Sequence, residues 1–145
     1  MKIVAQIVKD ATLTINEVPY SNITNGLLLL VSFKVGDTED DALLMADKIL
    51  KMRIFPDEDG KTNLSIIDIK GEILSVSQFT LYGEFKGRRP SFTKVLPGSE
   101  SKALYDIFNA ALKEWVTVKT GVSGENMNIS FTNVGPVTYI IENDE

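Results

Sequence analysis

The chain contains no cysteine and no histidine. Without cysteine there is no disulfide, no thiolate nucleophile and no thiolate metal site. Without histidine there is no Ser-His-Asp triad and no imidazole base near neutral pH, and the commonest protein metal ligand is missing. Catalysis by this chain must rest on hydroxyls, carboxylates, lysine, backbone amides or a group carried by the substrate. Long apolar runs are missing too. The longest, Leu27–Val31, is the length of a buried strand, far short of the roughly 20 residues that span a bilayer. The opening Met1–Val4 runs straight into an alternating pattern with no apolar signal region, so a cytoplasmic, non-membrane location is expected.

Positive charge is scarce. Fifteen Lys and Arg stand against 20 Asp and Glu, for a net charge of −5 and a pI of about 4.8. That balance argues against a broad duplex-binding face, which is basic. It leaves room for a short single-stranded end held by a local basic cluster. The 145 residues, 43% hydrophobic and 24% charged, suit one domain spanning residues 1–145.

Residues 2–8 and 11–18 read as strands, the second with Ala11, Leu13 and Ile15 alternating with Thr12, Thr14 and Asn16. Asn25-Gly26 is a turn signal, and Leu27–Phe33 reads as a central strand. Asp37 or Thr38 can cap a helix whose apolar stripe is Ala42, Met45, Ala46 and Ile49. Asp57–Gly60 is a turn; Phe55 stands where a calcium loop needs its first ligand, so no metal site is expected there. Asn63–Lys70 and Glu72–Tyr82 read as a hairpin joined near Gly71. Ser99 can cap a second helix with the stripe Leu104, Ile107, Phe108, Ala111, Leu112 and Trp115. Met127–Phe131 and Val137–Ile141 read as strands broken at Gly135-Pro136. The expected architecture is α+β, with two main helices and a mostly antiparallel sheet curled toward a barrel.

Three segments carry possible chemistry. Ser77-Gln78-Phe79-Thr80 ends an apolar strand with two hydroxyls, an amide and a ring; on a strand, Ser77 and Phe79 would face one way and Gln78 and Thr80 the other. Such a set lines a pocket, or is simply a strand leaving its sheet. Gly135-Pro136 is either an ordinary turn or a surface that presents bare carbonyls at close range. Lys86, Arg88 and Arg89, with Lys94 nearby, form a basic loop in an acidic chain, suited to phosphates or to ion pairs with its own carboxylates.

Together the Ser77–Tyr82 hexapeptide and the downstream Asn133–Thr138 segment resemble the D-aminoacyl-tRNA deacylase family. The likeness also takes in Val4–Gln6, Lys48–Leu50, Arg53–Phe55, Gly60-Lys61, Asn63–Ser65, Gly87–Phe92 and Thr120-Gly121. It implies a carboxylic ester hydrolase that frees D-amino acids, and glycine mischarged on tRNA(Ala), from the 3′-terminal adenosine of tRNA, without metal or cofactor. It implies a homodimer with active sites at the interface. Gly135-Pro136 would be a cis peptide inserted into the partner's site, where its carbonyls exclude an L side chain. Ser77, Gln78, Phe79 and Thr80 would form the catalytic segment, with N–H groups near Phe79 and Thr80 stabilising the oxyanion. The neighbouring ribose 2′-hydroxyl would help activate water, which suits a chain without histidine. Thr80 is the candidate side-chain nucleophile, although no base is evident to activate it. Lys86, Arg88, Arg89 and Met127 would contact tRNA.

The chain departs from the family pattern at three places. Ile7 stands where Arg is usual beside the Gly-Pro segment, Val134 where Asp or a small polar residue is usual, and Ser123 where an aromatic often holds the adenine. Loss of one stacking ring would weaken nucleotide binding by about 1–3 kcal/mol. Loss of the Arg would remove a donor that orients the Gly-Pro carbonyls. An alternative reading is a catalytically impaired homologue that binds nucleic acid without turnover.

Overall fold

The computed structural model describes residues 1–143. The chain runs β1 (Lys2–Ile15), β2 (Val18–Ser32), α1 (Glu39–Lys51), β3 (Phe55–Pro56), β4 (Thr62–Leu64), β5 (Glu72–Ser77), α2 (Gly98–Lys113), β6 (Thr117–Thr120) and β7 (Met127–Glu142). A 3-10 turn, Phe79–Tyr82, follows β5. The main sheet has the order β6-β5-β2-β1-β7, and β3 pairs with β4 alone. No helix among the described residues is long and apolar enough to cross a membrane.

The α+β class with two helices stands, but the sheet is mixed and open. β1 pairs antiparallel with β2 and β7 along most of their lengths, while β5 lies parallel to β2 and to β6. β6 and β7 are the two edges of this sheet, so there is no barrel. The hairpin expected near Gly71 is absent for the same reason. Residues 66–71 wind through a tight turn, with Gly71 N–H on the Ile66 carbonyl at 3.0 Å, and deliver β5 parallel to β2.

Asn25-Gly26 lies inside β2 rather than at a turn. The β1–β2 turn is Asn16-Glu17, both at positive φ (50° and 68°), the mirror-type turn whose twist suits a two-residue hairpin. Gly26 is required for another reason. A Cβ there would lie 1.8 Å from the Glu72 carbonyl oxygen, so only glycine lets β2 and β5 meet at the first rung of their ladder. The strands expected at 2–8 and 11–18 are one strand, irregular near Asp10 (φ 50°).

Each face of the sheet carries a buried apolar cluster. On one, Ile3, Leu29, Val31 and Ile73 pack with Met45 and Ile49 of α1 and Phe108 and Leu112 of α2. On the other, Val8, Leu13, Ile23, Leu28, Leu74 and Val76 cluster, and Ser21 Oγ donates to the Thr120 carbonyl at 2.6 Å, tying the far half of β2 to β6. The helix stripes are as the periodicity predicts except at Trp115, which lies past the end of α2 and is 65% exposed. Pro97, not Ser99, caps α2, and it has no side-chain hydroxyl to offer.

Thr38, not Asp37, caps α1. Thr38 Oγ1 accepts the Asp41 N–H at 3.3 Å and Asp41 returns a carboxylate oxygen to the Thr38 N–H at 2.8 Å. That N–H holds the Asp41 carboxyl below its ordinary value, outweighing burial. Its stabilisation is therefore complete above the ordinary value of 3.8 and is lost as pH falls through the lowered folded value. Asp41→Ala should cost about 0.5–1 kcal/mol in urea melts at pH 7, and the gap from wild type should close in acid. Gly26→Ala should cost about 3 kcal/mol or more in the same melts, since backbone must move on both strands.

Candidate active site

The β5 ladder ends at Ser77, in register with Val31. Gln78 makes the last contact, its N–H on the Val31 carbonyl at 2.7 Å, and the chain then tightens into the 3-10 turn. The strand alternation expected over Ser77–Thr80 therefore stops at Gln78, and Phe79 and Thr80 are exposed in the turn. The first bond of the turn is donated by Leu81 to the Gln78 carbonyl at 3.3 Å, so the Phe79 and Thr80 N–H groups precede it and have no acceptor within the turn. Tyr82 anchors the turn from below. It is buried, with the Lys2 ammonium 4.8 Å from its ring centroid, and Lys2 Nζ also donates to the Leu81 carbonyl at 3.2 Å.

A cleft of about 300 Å³ opens beside this turn. Ser77 and Phe79 form one side, Gly98, Ser101 and Lys102 of α2 another, and Met127 with Ser123 and Gly124 a third. Tyr105 fixes α2 here, its buried hydroxyl donating to the Ser75 carbonyl at 2.7 Å. Burial raises the Tyr105 pKa, so the hydroxyl stays protonated and keeps donating. Among the residues lining the cleft, Lys102 is the one ionisable side chain, and it pairs with Asp106 at 2.7 Å. The wall is otherwise hydroxyls, backbone and apolar groups. Such a wall binds and orients, but offers neither a general base nor carboxylate ligands for a metal.

Sequence reasoning placed Ser77, Phe79 and Met127 in a site, and the fold brings all three to this cleft. Gln78 and Thr80 flank it and are not among its lining residues. The start of α2 was missed, because Gly98, Ser101 and Lys102 carry no motif that marks them. Lys86, Arg88 and Arg89 are exposed on a loop whose base is pinned by paired Glu84 and Ser91 backbone bonds of 2.8 and 2.7 Å. Phe92 at that base meets Phe79 edge to face, ring centroids 5.0 Å apart, so the basic loop is seated beside the cleft. Lys94 is paired with Glu84 at 3.4 Å.

Gly135-Pro136 lies elsewhere on the protomer. Gln6 pairs with Thr138 and Val8 with Asn133, so Ile7 alone faces the four residues 134–137, which bulge from the β1–β7 ladder. The Gly135-Pro136 peptide is cis and both residues are exposed. Ser77 is in line with Val31, Ile3 and Ile141, four residues along from Ile7 and three strands from β7. Gly135 and Pro136 are not among the residues that line the cleft. One protomer does not bring the two motifs together.

The comparisons with known proteins bear on the fold and the family. A solved c-Myc DNA unwinding element binding protein superposes with a TM-score of 0.93 at 36% identity over 98% of each chain. A probable eukaryotic D-amino acid tRNA deacylase superposes at 0.86 with 19% identity over 97% of each chain, a likeness of fold alone. The D-aminoacyl-tRNA deacylase of Anoxybacillus flavithermus is 49% identical over 98% of this chain and 99% of its own length. That of Thermus aquaticus is 48% identical over 100% of this chain and 97% of its own. The family model described as D-Tyr-tRNA(Tyr) deacylase matches residues 4–142, and the chain belongs to that family.

Proposed function

We propose that this chain hydrolyses the ester between a D-amino acid, or glycine, and the 3′-terminal adenosine of tRNA, working in the cytoplasm as a homodimer. The observation that carries the reading is the cleft that joins Ser77, Phe79 and Met127 and has the basic loop seated at its side. The adenine would lie against Phe79 and Met127, and Lys86, Arg88 and Arg89 would meet the acceptor-end phosphates. Water attacks the ester carbonyl, and the developing oxyanion takes the Phe79 and Thr80 N–H groups. The carbonyl carbon–oxygen bond then breaks, the ribose 3′-oxygen takes the proton, and free amino acid and tRNA leave. The substrate's 2′-hydroxyl helps order and activate the water, in a cleft whose lining includes no carboxylate or imidazole to act as its base. Gly135-Pro136 of the partner would enter the cleft and exclude an L side chain by backbone sterics. Gly135 and Pro136 are exposed and do not line the cleft of their own protomer, which supports action across two copies.

A second reading is favoured by one relative, the protein named for binding the c-Myc DNA unwinding element. Under it the cleft and basic loop hold a nucleic-acid end without turnover. A single assay separates the two. Purified protein in EDTA should release D-tyrosine from D-tyrosyl-tRNA and leave L-tyrosyl-tRNA intact; binding of both with hydrolysis of neither would establish the second reading. Phe79→Ala should raise KM by about ten- to a hundredfold through lost stacking. Thr80→Ala should keep kcat within about tenfold, whereas removing a true nucleophile costs up to about a millionfold.

A further inference from the structure

Side chains of β1 and β7 hold the Gly135-Pro136 bulge. Asn133 sits at its neck. Its Nδ2 donates to the Ile7 carbonyl and to the Val137 carbonyl, both at 3.0 Å. Its Oδ1 accepts from Gln6 Nε2 at 3.1 Å. Gln6 Nε2 also reaches Thr138 Oγ1 at 3.3 Å, and that hydroxyl lies 3.5 Å from the Pro136 carbonyl. One carboxamide thus closes the neck between its own strand position and Val137. It also satisfies the Ile7 carbonyl, at a ladder position with no β7 residue in register. Val134 and Val137 pack against the helix-side core, which leaves only Gly135 and Pro136 projecting.

A wedge made of backbone has no side chain of its own to steer it. Its placement is set by its neck and by the two valines beside it. We propose that Asn133, itself set by Gln6, is the positioning residue for Gly135-Pro136 and so fixes how strictly D- and L-aminoacyl esters are told apart. The proposal rests on the deacylase reading above. Neither side chain touches substrate in it; both act through the Gly135 and Pro136 carbonyls.

Asn133→Asp keeps the shape and the acceptor for Gln6 but removes both donated bonds. Gln6→Leu removes the nearer of two donors to the carboxamide oxygen, leaving Thr138 Oγ1 at 3.4 Å. Single-turnover hydrolysis of D- and L-tyrosyl-tRNA is measured for both variants and wild type, with thermal melts alongside. In Asn133→Asp the D/L rate ratio should fall about ten- to a hundredfold, the scale of a 1 Å misplacement, mainly because L-tyrosyl-tRNA is cleaved faster. Gln6→Leu should shift the ratio the same way by less, and carries the test if Asn133→Asp does not fold. A folded variant with an unchanged ratio, or equal loss on both substrates, overturns the positioning role and leaves the deacylase reading intact. Wild type inert on both substrates takes down both.

Discussion

The 2.7 Å hydrogen bond from the Gln78 N–H to the Val31 carbonyl is where the parallel ladder of β5 and β2 stops, and the candidate site begins there. At its other end the ladder starts at Gly26, where the Glu72 carbonyl occupies the space a Cβ would need. β5 is therefore held at both ends. A slip of one residue would exchange the faces of every side chain on it. Ser77 would leave the α2 side, and Leu74 and Val76 would leave the second core. The cleft is thus a consequence of register, with Phe79 exposed because the strand can go no further.

A different disturbance of register makes the Gly135-Pro136 bulge, where four residues of β7 oppose one of β1. Both motifs are backbone devices. One leaves N–H groups ahead of the first bond of a turn, and the other exposes a Gly-Pro peptide outside the ladder. That division suits a chain with no histidine and no cysteine, whose cleft offers hydroxyls and main chain in place of a base. It also suits a net charge of −5, since a single basic loop seated by Phe79 and Phe92 concentrates positive charge beside the cleft without reversing the sign of the molecule.

How far the sequence could be read depended on whether the deciding interaction was local. The cap at Thr38 and the helix stripes depend on residues three and four apart, and they were legible to within one position. The site segments were legible because their residue types are unusual together. The direction of β5 was not, because a parallel partner leaves no mark in the strand itself, and a short apolar strand following a turn resembles half of a hairpin. Gly26 was misread for a related reason: a glycine kept for close approach across strands looks in sequence like a glycine kept for a turn. The true turn at Asn16-Glu17 places a glutamate at φ 68°, which the two-residue connection between β1 and β2 imposes against local preference. Gly98, Ser101 and Lys102 reach the cleft only through the packing of α2, anchored by Tyr105 on Ser75.

The three departures from the family pattern do not fall in equivalent places. Ser123 borders the cleft, where Phe79 and Met127 supply the large apolar surface. Ile7 is buried in the helix-side core, and Val134 packs against that same cluster. Two positions where polar residues are usual in the pattern are therefore apolar together and on the same side of the bulge. Replacing buried polar groups jointly by packed apolar ones is often neutral or stabilising, whereas changing one alone leaves a partner unsatisfied. Residue 7 still serves the bulge through its carbonyl, which any side chain would leave available to Asn133. The hydrogen bonds that hold Gly135-Pro136 come from the opposite face, from Gln6 and Asn133. Apolar residues at positions 7 and 134 thus remove nothing that these bonds require, and this weighs against reading the chain as an impaired relative.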